Sequence, residues 1–207
     1  MGMTCPVKGR PRDRILDTAR DLFRKFGVKG IGVDAIAEAA GTNKMTLYRH
    51  FGSKDELIAE CLRDQANMAA HKWAELEAAF PDDPLRRLRE WVHLGAACAA
   101  VDARGCDLAN AAIELPDEDH PARRVIEDFK RSQRDRLASL CREVGAADPE
   151  MLADTLSLLV EGARVSRQSV GPAGPCSRFA QVAEAAIENA VAAGRRADAS
   201  VEVRRAG

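Results

Sequence analysis

Apolar residues recur along this chain at three- and four-residue spacings, the period of helices with one buried face. The two-residue alternation of half-buried strands is nearly absent. Ile15, Ala19, Leu22, Phe23 and Phe26 share a face and predict a first helix over about 12–26, stopped at Gly27. Val33, Ile36, Ala37 and Ala40 predict a second over about 33–40. Gly41-Thr42-Asn43 breaks it, and Leu47, Tyr48 and Phe51 carry a third over about 44–51. Three short helices with a glycine turn between the last two make a helix-turn-helix pattern.

Local capping chemistry marks the helices that follow. Ser53-Lys54-Asp55-Glu56 has the spacing of a capping box, in which the Ser53 hydroxyl and the Glu56 carboxylate each accept the other residue's amide. It predicts a long fourth helix running past Met68 and Trp73 to Phe80. Asp83-Pro84 and Asp148-Pro149 each place a capping carboxylate before a proline at the first helical position, where a missing N–H costs nothing. Between them lie a fifth helix, a break at 102–105, a short helix over 106–115, an acidic loop and a charged seventh helix over 122–144. Two strongly apolar helices, to about Val170 and over 177–193, close the chain. The reading is all-α, about nine helices: a helix-turn-helix head over 1–54, a larger helical domain over 55–194, and a basic tail over 195–207 expected to be disordered.

Charge is segregated between these parts. Residues 1–54 carry eleven Lys and Arg against five acids, and the chain totals of 31 and 32 leave 20 against 27 elsewhere. A basic head on an acidic body points to a polyanion met by the head alone. Lys8, Arg10, Arg12 and Arg14 are candidates for a basic arm.

The stretch Ile31–Leu57 contains an Ala40-Gly41 turn, the run Lys44-Met45-Thr46-Leu47-Tyr48-Arg49-His50-Phe51, and then Ser53-Lys54-Asp55-Glu56-Leu57. With its flanks, over about 12–62, it resembles the DNA-binding head of the TetR family of transcriptional regulators. The resemblance implies a third helix entering the major groove with its first residues at base edges. Thr42, Asn43, Lys44, Met45 and Thr46 stand at that start, and Tyr48, Arg49, His50 and Lys54 match or adjoin positions that hold phosphates. Leu47 and Phe51 are expected core. Ile31-Gly32 departs from the family, which carries Thr or Ser there, so a hydroxyl that caps the second helix and touches a phosphate is missing.

Such heads read two half-sites about 34–36 Å apart, which implies a homodimer on a palindromic double-stranded DNA operator. The two C-terminal helices, with Ala183, Ala186 and Ala190 allowing close approach, are the candidate interface. The resemblance also implies a repressor released by a small-molecule effector. Candidate pocket residues are Met68, Trp73, Trp91, Cys98, Cys106, Asn110, Phe129, Arg164 and Gln168, with Ile126, His93 and Glu114 as further candidates. The fourth helix is expected to be the one element joined to both head and pocket. Cys106 offers an alternative input: at a helix start beside Arg104, a thiol gains thiolate character, so the chain would sense electrophiles or oxidants.

Other classes find little support. No nucleotide-binding glycine loop, G-x-S-x-G elbow or H-E-x-x-H motif is present, so no enzyme and no cofactor is indicated. The four histidines and six cysteines lack metal-ligand spacing. No run approaches the roughly 18–20 apolar residues needed to span a bilayer, and the first residues lack a signal-peptide core. Reduced cysteines and a cytoplasmic residence are the expectation.

Overall fold

The computed structural model describes residues 10–101 and 103–206, the side chains of 198 and 201–206 excepted. Cys5 and Lys8, the start of the expected arm, and Asp102 in the expected break lie outside them. Among the described residues there are nine α-helices and no strand, as the periodicity predicts. They are α1 (Pro11–Phe26), α2 (Val33–Ala39), α3 (Lys44–Phe51), α4 (Lys54–Ala79), α5 (Pro84–Val101), α6 (Asp107–Glu114), α7 (Pro121–Glu143), α8 (Pro149–Val170) and α9 (Phe179–Ala206). A single 3-10 turn, Pro175–Arg178, precedes α9.

The caps follow the sequence closely. Asn43 Oδ1 accepts the Thr46 amide at 2.9 Å, Asp83 Oδ1 the Arg86 amide at 2.9 Å, and Asp148 Oδ1 the Met151 amide at 2.9 Å. The capping box at α4 is only half made. Ser53 Oγ accepts the Glu56 amide at 3.0 Å, but the Ser53 amide donates to the Phe51 carbonyl at 2.9 Å. The Glu56 carboxylate instead faces Arg63 two turns further on, at 3.9 Å. Gly27 ends α1 at φ +79°, a backbone state that favours glycine.

The chain forms two compact units, and neither is a simple stretch of sequence. The first takes the residues up to Met68 together with Asp107–Asp128; the second takes Ala69–Cys106 with the residues from Phe129 on. In the first, α1, α2 and α3 pack on one another around buried Ile15, Ala19, Phe23, Ile36 and Leu47. The first half of α4 is tied to α1 by ion pairs of Arg12 with Glu60 and of Arg20 with Asp64. Those pairs hold Arg12 in the head, and Arg14 reaches the Gly41 carbonyl at 3.5 Å, so neither extends a flexible arm.

The second unit has its own core, in which Leu88 and Val92 of α5, Leu137 and Cys141 of α7, Leu152 and Leu156 of α8, and Phe179, Ala183 and Ile187 of α9 cluster. Burying a Leu or Ile side chain contributes about 1.5–3 kcal/mol, so this cluster is the main stabilising feature of the unit. Three segments of chain cross between the units: α4 at Met68–Ala69, the Cys106–Asp107 peptide, and α7 at Asp128–Phe129. The fourth helix is therefore not the single connection that the sequence suggests.

The last helix also differs from expectation. It runs through Gly194 to Ala206, where the chain was expected to fray. A side chain at Gly194 would collide with the Gly145 carbonyl, so this glycine serves a close backbone approach and does not end the helix. No described helix is long and apolar enough to cross a membrane.

Candidate nucleic-acid interface and sensory residues

The helix-turn-helix is built in the first unit. Gly41 turns the chain at φ +63°, and the Thr42 amide donates to the Ala37 carbonyl at 2.9 Å, which closes α2 against the turn. Asn43, half outside the helix in an extended conformation, caps α3 with its own side chain. One lone pair of its Oδ1 is thereby committed, and the amide nitrogen is left to donate to a ligand.

Leu47 and Phe51 are buried, which fixes the inner face of α3. The outer face then carries Met45, 77% exposed, with exposed Lys44, Arg49 and His50 and half-buried Thr46 and Tyr48. The Arg49 side chain makes no hydrogen bond or ion pair among the described residues. The Lys44 ammonium lies 3.2 Å from the Asp34 carboxylate on α2, an exposed pair of small intrinsic worth. Lys54 opens α4; burial lowers its pKa, opposed by the nearby carboxylates of Asp55 and Glu114.

The α2 start has no side-chain cap, since Gly32 stands at that position in an extended conformation. What holds the preceding turn is a residue from far along the chain. Glu114 Oε2 accepts the Lys29 amide at 3.0 Å. The sequence offered Glu114 only as a polar pocket anchor, and nothing in local spacing points to the turn.

The candidate pocket residues divide between the units: Met68, Asn110, Glu114 and Ile126 belong to the first, the others to the second. In the second unit Trp73 and Trp91 stack with centroids 6.4 Å apart, and Trp73 Nε1 donates to Gln133 Oε1 at 2.8 Å. Trp73 is thus a core residue with its polar atom satisfied, as buried indoles usually are. Cys98 is exposed.

A second group gathers around Gly105. Lys130 Nζ lies 3.8 Å from Cys106 Sγ and 2.5 Å from Glu161 Oε1, and Arg164 Nη1 lies 3.4 Å from the same Glu161 oxygen. Gln168 donates to the Arg104 carbonyl, and Phe129 has Lys130 over its ring at 6.0 Å. Cys106, Phe129, Arg164 and Gln168 are therefore brought to one place. Lys130 and Glu161 are additions that the sequence did not single out; the one available signal was Glu161, a lone acid within the apolar run of α8. No group of three or more metal-ligating side chains occurs among the described residues.

Residues 15–61 match the model of the bacterial regulatory proteins of the tetR family. The HTH-type transcriptional regulator AcrR of Shigella flexneri is 38% identical over 79 residues, 38% of this chain, and the match spans 37% of that regulator's own length. The HTH-type transcriptional repressor KstR2 of Mycolicibacterium smegmatis is 28% identical over 80% of this chain and 82% of its own. A crystal structure of a TetR-type transcriptional regulator from Streptomyces avermitilis superposes with a TM-score of 0.74 at 32% identity, covering 88% of this chain and 98% of that one. A matching head, and a relative of this identity covered almost end to end, together mean that the chain belongs to the TetR family of bacterial regulatory proteins.

Proposed function

We propose that the protein is a transcriptional repressor that grips a palindromic operator as a homodimer and leaves it when the second unit takes up a signal. The observation that carries this reading is the outer face of α3: an exposed Met45 and an unpaired Arg49 on a helix whose start is capped and whose inner face is buried. Arg49, His50, Tyr48, Lys44 and Lys54 supply phosphate contacts, and Met45 and Thr46 meet base edges. Lys44 exchanges Asp34 for a phosphate at little cost, because an exposed ion pair contributes at most about 1 kcal/mol.

Dimerisation through α8 and α9 is supported by what these helices leave uncovered. Met151, Leu158 and Val165 recur at seven-residue spacing on α8 and are 63%, 75% and 58% exposed, and Val182 of α9 is 47% exposed. Large apolar side chains left exposed along one face of a helix suit an association surface. Selection of bound duplexes from random DNA tests the whole reading. A palindromic site, bound by two chains with affinity falling steeply as salt rises, is the expected result. A monomer that selects no sequence overturns it.

A second reading of the signal rests on Cys106. Lys130 Nζ donates to this half-buried thiol at 3.8 Å, and an electrophile alkylating Cys106 would break that contact and so act as the effector. Cys106→Ser then keeps operator binding and loses release by electrophiles. Release that persists in Cys106→Ser favours a non-covalent ligand. A non-covalent effector and the operator would weaken one another by the same factor, a coupling of typically about 1–3 kcal/mol.

A further inference from the structure

We infer that Glu114 is a positioning residue for DNA binding: from α6 its carboxylate holds the turn between α1 and α2 and so sets where the helix-turn-helix stands on α1. The inference rests on the DNA-binding reading above.

The segment Asp107–Asp128 lies in the middle of the chain yet belongs to the compact unit of the head. Its polar residues grip the head at separate points. Asp107 Oδ2, at the start of α6, accepts Gln65 Nε2 of α4 at 3.0 Å and Arg24 Nη1 of α1 at 3.3 Å. Two helical turns later on the same face, Glu114 accepts the Lys29 amide. Beyond the loop, His120 Nδ1 accepts the Ala122 amide at 3.1 Å, and its Nε2 stands 3.4 Å from Asp55 Oδ1 in the first turn of α4.

Among these the Glu114 contact is the one that touches the segment leading into α2. That segment is anchored at Val28, which is buried, but its end at α2 has no side-chain cap, because Gly32 stands there. A backbone amide bonded to a carboxylate is a charge-assisted contact, stronger than a neutral pair. Gly27 is shaped to admit it. A Cβ there would lie 2.7 Å from Glu114 Oε2 and 2.8 Å from Oε1, and φ at Gly27 is +79°. α6 is joined by the Cys106–Asp107 peptide to the second unit, so a displacement of α6 reaches the helix-turn-helix without passing through α4.

The test uses the full chain and the duplex it selects from random DNA. Glu114→Ala lowers affinity for that duplex by roughly five- to tenfold, the loss of about one solvent-exposed hydrogen bond. It also speeds hydrogen exchange of the Lys29 amide, while helical signal and elution volume stay unchanged. Glu114→Gln, which keeps an acceptor oxygen, recovers most of the affinity. Gly27→Ala weakens binding more in the wild type than in Glu114→Ala, where the carboxylate that would meet the methyl is gone. Unchanged affinity and unchanged Lys29 exchange in Glu114→Ala overturn the inference, as do strictly additive Gly27 and Glu114 effects. Failure of the wild type to select any duplex would instead defeat the DNA-binding reading, and Lys29 exchange would still test the contact.

Discussion

The side-chain oxygen of Asn43 accepts the backbone amide of Thr46, so the residue that begins the recognition helix is spent on capping it. This separates two roles that share one short segment. Asn43 stabilises the helix, and Met45 and Thr46, one and two residues into α3, are the residues proposed to meet base edges. Asn43→Ala should therefore destabilise the head by about 1 kcal/mol, the usual worth of an N-cap. Asn43→Asp should keep the cap and the melting temperature but bind every duplex more weakly, because it sets a carboxylate among phosphates. Thermal melts alongside duplex titrations read both effects. Tight duplex binding by Asn43→Asp would remove Asn43 from the DNA-facing surface.

Met45 is apolar and 77% exposed, which suits contact with a thymine methyl and suits little else in water. Replacing thymine by deoxyuridine at each position of the selected half-site should weaken wild-type binding at one of them, typically by about 1 kcal/mol. In Met45→Ala that sensitivity should vanish. Tyr48→Ala, by contrast, should weaken all duplexes nearly alike. A wild type indifferent to every methyl would show that Met45 reads no thymine.

Leu158 lies on the most exposed part of the α8 stripe. Leu158→Glu should leave the monomer folded, since the side chain is 75% exposed, but should drive the dimer apart in sedimentation at micromolar protein. Duplex binding should fall with it, because a single head holds only one half-site. A variant that remains dimeric would place the interface elsewhere.

Burial pushes the Cys61 and Cys141 thiols up to about 12 from an ordinary 9.0. At pH 8 iodoacetamide should therefore label Cys98 and Cys106 in the native protein and spare Cys61 and Cys141, as read by peptide mass mapping. The raised values also set a direction for stability. The folded state keeps its proton more tightly, so the contribution of these thiols is complete below about pH 9 and is lost as pH rises from there towards 12. The stability lost in Cys61→Ala should accordingly shrink between pH 8 and 10.5. A cost independent of pH would contradict the assignment.

Helices α1 to α9 were legible in sequence because the information is local: apolar spacing of three and four, a capping side chain before several of the starts, and glycine or proline close after the stops. Asp83 and Asp148 cap where spacing alone predicts it, whereas Asn43, read only as part of a break and as a DNA-facing residue, also caps. The outer face of α3 follows in the same way, since burying Leu47 and Phe51 leaves Met45 and Arg49 outside. Gly194 misled because a helix tolerates one glycine at a cost of about 1 kcal/mol, and only the Gly145 carbonyl beside it shows why it is there. The half-made box at Ser53 turned on a backbone bond to Phe51 that competes for the same amide. Tertiary structure alone decided that residues 107–128 join the head, that Glu114 takes the Lys29 amide, and that Lys130 and Glu161 meet Cys106. These pairings link residues 24 to 85 positions apart, and no local period encodes a partner that far away.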